Sequence, residues 1–263
     1  MVVIVDSRLF YEAKEVFEQN GVEVLGRPGL NLEGARFEIN QHYYENEERY
    51  NGILYKVCVG INNFLCKIED NTRDIYQVVG MPYWIKMEDI KEELSSLWAI
   101  SSRKEKAYVS VCHVQSANLR MNFESKVRKG MFRLELAVER GLGSQLYEEK
   151  QFDLEDSIDT VNEFIKKETM SVGFIDKLGN QRVGDVINRN KSIKNKRKIV
   201  VDGKEVYRKK YIKRSYGRLT DGIHLNVQWQ RRTAEEVVKS IQKEVAHIKR
   251  IVLANKRFED NLE

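Results

Sequence analysis

Residues 1–7 read Met-Val-Val-Ile-Val-Asp-Ser. Val2–Val5 is a short, wholly apolar β-branched run, the pattern of a strand buried on both faces within a parallel sheet. Such a strand delivers the residues that follow it to the rim of the sheet, and those residues are a carboxylate, Asp6, and a hydroxyl, Ser7. From residue 8 to 20 a helical period sets Leu9, Ala13, Val16 and Phe17 on one face, closed by Asn20-Gly21, so Ser7 is expected at a helix N-terminus.

Outward from this unit the alternation repeats. Val22–Leu25 reads as a second strand ending in Gly-Arg-Pro-Gly29, and a tyrosine-bearing stretch over 33–51 is helical in part. Ile53–Val59 is a third strand that stops at Gly60. After a less regular region around Met81-Pro82, residues 86–101 place Ile90, Leu94, Leu97 and Trp98 on one helical stripe. Tyr108–Val114 is a fourth strand, and 117–150 is helix-prone but broken by Gly130, Gly141 and Gly143. Asp153 is expected to cap a helix to about Lys167 that buries Ile158, Val161, Phe164 and Ile165. Ser171–Asp176 reads as a fifth strand, and a last helix runs from about Arg231 to Leu253.

The pattern predicts an α/β chain: a three-layer α/β/α sandwich on a five-stranded parallel sheet, flavodoxin-like in outline. Working residues of such sheets gather at the carboxyl ends of the strands. One domain is expected over 1–263, with an inserted segment at about 177–218, in which Lys198–Tyr207 reads as a hairpin around Asp202-Gly203.

Composition narrows the classes. A chain of 263 residues, 41% hydrophobic, builds a core without disulfides. Cys58, Cys66 and Cys112 read as free thiols, and with no CxxC or CxH cluster no metal site is expected. The N-terminus shows no basic region followed by a cleavage site, and no apolar run is long enough to span a bilayer. An intracellular protein, cytoplasmic or nuclear, is therefore expected, provided the chain is not cut from a longer one.

Three polar clusters follow strands: Asp6-Ser7, Pro28-Gly29-Leu30-Asn31 and Gly60-Ile61-Asn62-Asn63. A fourth, Asp221-Gly-Ile-His224, precedes the last helix. Singly each has a plainer reading. Ser7 alone could cap a helix, Gly29 and Asn62 could serve turns, and Asp-x-x-His arises by chance. Together they supply a hydroxyl nucleophile, an imidazole to take its proton, a carboxylate to orient the imidazole and donors for an oxyanion. His113 and Asp176, at the ends of strands 4 and 5, are weaker candidates that also suit structural roles. Trp84, Trp98 and Trp229 read as core or interface residues.

In these four clusters and their order, the sequence resembles the SGNH (GDSL-type) hydrolases, whose blocks are Gly-Asp-Ser, a glycine, Gly-x-Asn-Asp and Asp-x-x-His. The resemblance implies Ser7 as nucleophile, His224 as general base and Asp221 as its orienter. It implies an oxyanion hole from the Ser7 amide, Gly29 and Asn62. It also implies an esterase or deacylase acting on an ester substrate without metal or organic cofactor. Val5 stands where that family has glycine, and Asn63 where it has the second acid.

Charge points to a second class of partner. Residues 189–218 hold thirteen Lys/Arg against Asp202 and Glu205, a local +11 within a chain of net +5, so the remainder is acidic by six. Lys194, Lys196, Arg197, Lys198, Arg208, Lys209, Lys210, Lys213 and Arg214, interleaved with Tyr207, Tyr211 and Tyr216, could neutralise phosphates and stack on bases of RNA or another polyanion. A solvated loop fits the same composition. The alternative function is thus a weakly active or inactive SGNH-like module that binds RNA or single-stranded nucleic acid, similar to retrotransposon-type or Oskar-like SGNH domains.

Overall fold

The computed structural model describes residues 1–68, 79–82, 87–104, 106–130, 144–171, 198–201, 204–207 and 219–260. In chain order the first elements are β1 (Val2–Val5), α1 (Lys14–Gln19), β2 (Glu23–Gly26), α2 (Leu32–Asn46) and β3 (Ile53–Cys58). A 3₁₀ turn over Ile61–Asn63 leads into β4 (Leu65–Ile68), followed by β5 (Val79–Pro82), α3 (Met87–Arg103), β6 (Ala107–Val111) and α4 (Leu119–Arg128). The remaining elements are α5 (Ser144–Ser171), β7 (Lys198–Val201), β8 (Lys204–Tyr207) and α6 (Val227–Asp260).

Among the described residues, four strands make the central sheet in the order β2-β1-β3-β6, all parallel. β1 is buried at every position because both faces are covered, which is why its sequence is apolar without alternation. Val2 and Ile4 pack with residues of α2, α3, α4 and α5, whereas Val3 and Val5 pack with α1 and α6. These are the three layers expected from the sequence. The Ile158, Val161 and Ile165 stripe of α5 is buried as anticipated. Two small antiparallel pairs, β4–β5 and β7–β8, lie outside the main sheet, and β7–β8 is the anticipated hairpin, with Val201 opposite Lys204. Among the described residues no helix is long and apolar enough to cross a membrane.

Several boundaries differ from the sequence reading. The first helix begins at Lys14 rather than residue 8, so Ser7 is not at a helix N-terminus. The Asp6 carboxylate accepts the Arg8 amide at 2.9 Å and the Leu9 amide bonds the Asp6 carbonyl at 3.1 Å, closing tight turns where a helix would start. Asp153 caps nothing, since α5 runs without interruption from Ser144. β6 ends at Val111 rather than Val114. Ser171 closes α5 rather than opening a fifth strand, and residues 172–176, with Asp176, lie outside the described residues.

One charged pair is buried between the sheet and α6. Lys56 of β3 and Glu244 of α6, both with fully buried side chains, form an ion pair at 2.6 Å. Ser110 accepts from the Lys56 ammonium at 2.8 Å, and the hydroxyls of Ser110 and Ser240 each reach the Glu244 carboxylate at 3.2 Å. Removing one partner strands a charge in the core. Lys56→Met is expected to cost about 3–5 kcal/mol in urea unfolding, and the double change Lys56→Met/Glu244→Leu to recover most of that loss.

Candidate active site

The turn after β1 and the loop before α6 bring three expected residues into one chain of hydrogen bonds. His224 Nε2 lies 3.0 Å from Ser7 Oγ. Its Nδ1 lies 2.9 Å from Asp221 Oδ2 and 3.1 Å from Oδ1. A carboxylate can only accept, so Nδ1 carries the proton, and Nε2 is left to accept from the serine hydroxyl. Ser7 is partly exposed, and the His224 side chain is 38% exposed, against 13% for Asp221.

The loop bearing Asp221 and His224 is fixed from within. Asp221 Oδ1 takes the amides of Ile223 at 3.1 Å and His224 at 2.9 Å, a local ring that orients the carboxylate. The Thr220 amide bonds the His224 carbonyl at 2.8 Å, and buried Leu219 and Leu225 bridge across the neck. Asn226 then caps α6 by accepting the Trp229 amide at 3.1 Å.

A second loop, unremarked in the sequence, ties this one to the turn bearing Ser7. Arg8, fully buried, donates from Nη1 to the Gln115 carbonyl at 2.9 Å and from Nη2 to the Ser116 carbonyl at 3.2 Å. Two residues beyond Ser116, the Asn118 amide bonds the Gly222 carbonyl at 2.6 Å, and Asn122 Nδ2 donates to the Asp221 carbonyl at 3.0 Å. Gly222 has φ of 87°, and a Cβ there would stand 2.3 Å from the Asn118 carbonyl, so no other residue fits between Asp221 and His224 without moving this contact. Side-chain amides of α5 hold the second loop. Asn162 makes paired bonds to the backbone of Val114 at 2.7 and 3.0 Å, and Gln151 bonds Leu119 N at 2.8 Å and Ala117 O at 2.7 Å.

The remaining expected residues fall as follows. Gly29 is exposed in the turn between β2 and α2, with φ of 79°. Asn62 Nδ2 donates to the Leu30 carbonyl at 2.9 Å, which joins the turn after β3 to the loop carrying Gly29. An amide NH₂ has a second proton for another acceptor. Asn63 Oδ1 accepts the Leu32 amide at 3.0 Å at the start of α2, a bond that an aspartate oxygen could equally accept. Val5 sends its side chain into the core shared with α1 and α6. His113 lines a small cavity with Asp6, Arg8 and Gln115. Trp98 packs against Phe164 with ring centroids 6.0 Å apart, a core role, and Trp84 lies outside the described residues. So do Lys194, Lys196, Arg197, Arg208, Lys209, Lys210, Lys213 and Arg214, while the backbone of Lys198 opens β7.

Burial pushes the Asp6 carboxyl above its ordinary value and brings the Arg8 guanidinium down to about 10, while each partly compensates the other's charge. Asp221 goes the opposite way. Burial opposes its ionisation, but the hydrogen bonds from the His224 ring and amide, the nearby imidazole and the Ile223 amide outweigh it and hold the carboxyl well below the usual range.

Comparison with known proteins agrees with this architecture. No family model matches the sequence and no curated protein matches it. Among solved structures, a Bacteroides fragilis protein described as a "putative acylhydrolase" superposes with a TM-score of 0.50 at 10% identity, over 94% of this chain and 86% of that one. The two chains share a fold, a parallel sheet covered by helices on both faces. A "GDSL-like lipase" from Bacteroides thetaiotaomicron covers 94% of this chain and 87% of its own, at 13% identity and a TM-score of 0.48. In this fold, β1 supplies the turn bearing Ser7 and the approach to α6 supplies Asp221 and His224.

Two changes test the bracket and the carboxylate. Arg8→Lys cannot serve two successive carbonyls with one planar fork, and is expected to lower stability by about 1–3 kcal/mol in urea unfolding. A carboxyl whose folded pKa is depressed stabilises above its unfolded value, about 3.9, and that contribution fades as pH falls towards the folded value. Asp221→Asn should therefore be less stable than the parent at pH 7, with the gap narrowing below about pH 4 when unfolding midpoints are compared across a pH series.

Proposed function

We propose that the chain is a serine-dependent carboxylic ester hydrolase. The observation that carries this reading is the unbroken hydrogen-bonded series Ser7 Oγ, His224 Nε2, His224 Nδ1, Asp221 Oδ2, whose distances run from 2.9 to 3.0 Å. Ser7 attacks the ester carbonyl as His224 Nε2 takes its proton, and Asp221 stabilises the imidazolium without itself becoming protonated. The tetrahedral intermediate collapses as His224 returns the proton to the leaving alcohol, leaving an acyl group on Ser7. A water molecule, activated by the same imidazole, then releases the acid and restores the hydroxyl.

The oxyanion would be met by the Ser7 amide, the Gly29 amide and the second proton of the Asn62 amide, each able to donate to developing negative charge. In this reading the bond from Asn62 to the Leu30 carbonyl orients that amide. The partial exposure of Ser7 and His224 supports direct access for a substrate from solvent.

Labelling with a fluorophosphonate, followed by peptide mapping, is expected to modify Ser7. Ser7→Ala and His224→Ala should each lower kcat on a short-chain aryl ester by about 10⁴-fold or more while far-ultraviolet circular dichroism stays unchanged. A folded parent protein that neither labels nor hydrolyses such esters would overturn the assignment.

A further inference from the structure

Two thiols stand side by side at the carboxyl end of the sheet, close to the nucleophile turn and unused by the proposed chemistry. The β3–β6 ladder pairs Lys56 with Ser110 and Val57 with Val111, and the next residue on each strand is a cysteine. The Cys112 amide still bonds the Val57 carbonyl at 2.8 Å, so the strands remain in register there. The Sγ atoms of Cys58 and Cys112 lie 3.0 Å apart. Neighbouring strands run about 4.8 Å apart, within the Cα separation that a disulfide spans, so bond formation at about 2.05 Å asks for a sulfur displacement of only about 1 Å.

The surroundings make the two sulfurs unequal. Lys56 and Ser110 precede the cysteines by two residues on the same face of the sheet, which places the Lys56 ammonium near the sulfurs. Burial raises both thiols. Cys58 is half-buried and Cys112 buried, and the positive charge of Lys56 favours a thiolate at either sulfur. Both line the small cavity that also touches Asp6, Arg8 and His113, and it has room for a molecule of about the size of water.

We propose that Cys58 and Cys112 form a redox-modification site at which a small hydroperoxide converts the two thiols into an intramolecular disulfide. One sulfur of the pair attacks hydrogen peroxide and breaks its O–O bond, giving a sulfenic acid and one water that carries off that thiol's proton. The other sulfur then attacks the sulfenic sulfur, the S–S bond forms as the S–O bond breaks, and a second water leaves with the second thiol's proton. The two thiols lose two electrons and the peroxide gains them. The cavity is small, so a small hydroperoxide is the oxidant proposed and a bulky disulfide such as oxidised glutathione is the control.

The test is independent of esterase activity. The full chain is treated with hydrogen peroxide, alkylated and digested without reduction. The expected result is a mass loss of about 2 Da, a peptide linking Cys58 to Cys112, reversal by dithiothreitol, and Cys66 still open to alkylation. Cys66→Ser should keep the cross-link, and Cys58→Ser and Cys112→Ser should each abolish it. Should either serine variant fail to fold, the wild-type peptide map decides by itself. Oxidised glutathione at equal concentration should form the link at least about ten-fold more slowly. Absence of the 2 Da loss, a link through Cys66, or equal rates with the two oxidants would overturn the proposal.

Discussion

The guanidinium of Arg8 is the contact on which the arrangement of this molecule turns. Its two terminal nitrogens hold successive carbonyls of the loop after β6, and they do so from the residue that follows Ser7. The same loop reaches forward through Asn118 and Asn122 to Gly222 and Asp221. The turn bearing Ser7 and the Asp-x-x-His loop, separated by more than two hundred residues, therefore share one support. A planar five-donor group suits this task because it satisfies two buried backbone acceptors at once, and each would be costly to leave bare. Its own burial lowers its pKa only to about 10, so it stays charged at neutral pH.

The support is itself fastened to the opposite layer. Asn162 pairs with the Val114 backbone as a neighbouring strand would, and Gln151 does the same for Ala117 and Leu119. α5 thus substitutes for sheet hydrogen bonds where β6 has ended. On the other face, Lys56, Ser110, Ser240 and Glu244 form a polar seam between β3, β6 and α6. A seam of this kind favours one seating of α6 on the sheet, since sliding the helix would separate a buried pair. The position of α6 matters because the loop bearing His224 runs directly into it.

The sequence made the scaffold legible where periodicity and burial coincide. Val2–Val5, Ile53–Cys58 and the α3 and α5 stripes needed no tertiary knowledge, because each element buries a complete face. Ser7, Asp221 and His224, each ambiguous alone, were expected together, and their side chains stand in one hydrogen-bonded series. Local propensity failed at residues 8–13, where the helical period of Leu9 and Ala13 was overridden by the Asp6 turn and by the burial of Arg8. Arg8, Gln151 and Asn162 were illegible for a different reason. A side chain that bonds a distant carbonyl leaves no period and no motif, and the loop that Arg8 meets lies 107 residues away.

The departures at Val5 and Asn63 can be weighed by where the bonds go. Glycine is demanded where backbone approaches backbone, as at Gly222, and also at Gly60, where φ is 132° and a Cβ would lie 2.8 Å from a Val114 methyl. Position 5 makes no such demand, because its side chain alternates into the apolar layer with Val3 and away from the polar turn that follows. At position 63 the requirement is an oxygen within reach of the first amide of α2, which an amide side chain meets as well as a carboxylate does. Neither substitution touches the hydrogen bonds that join Ser7, His224 and Asp221, so the local geometry at these positions is compatible with a working site.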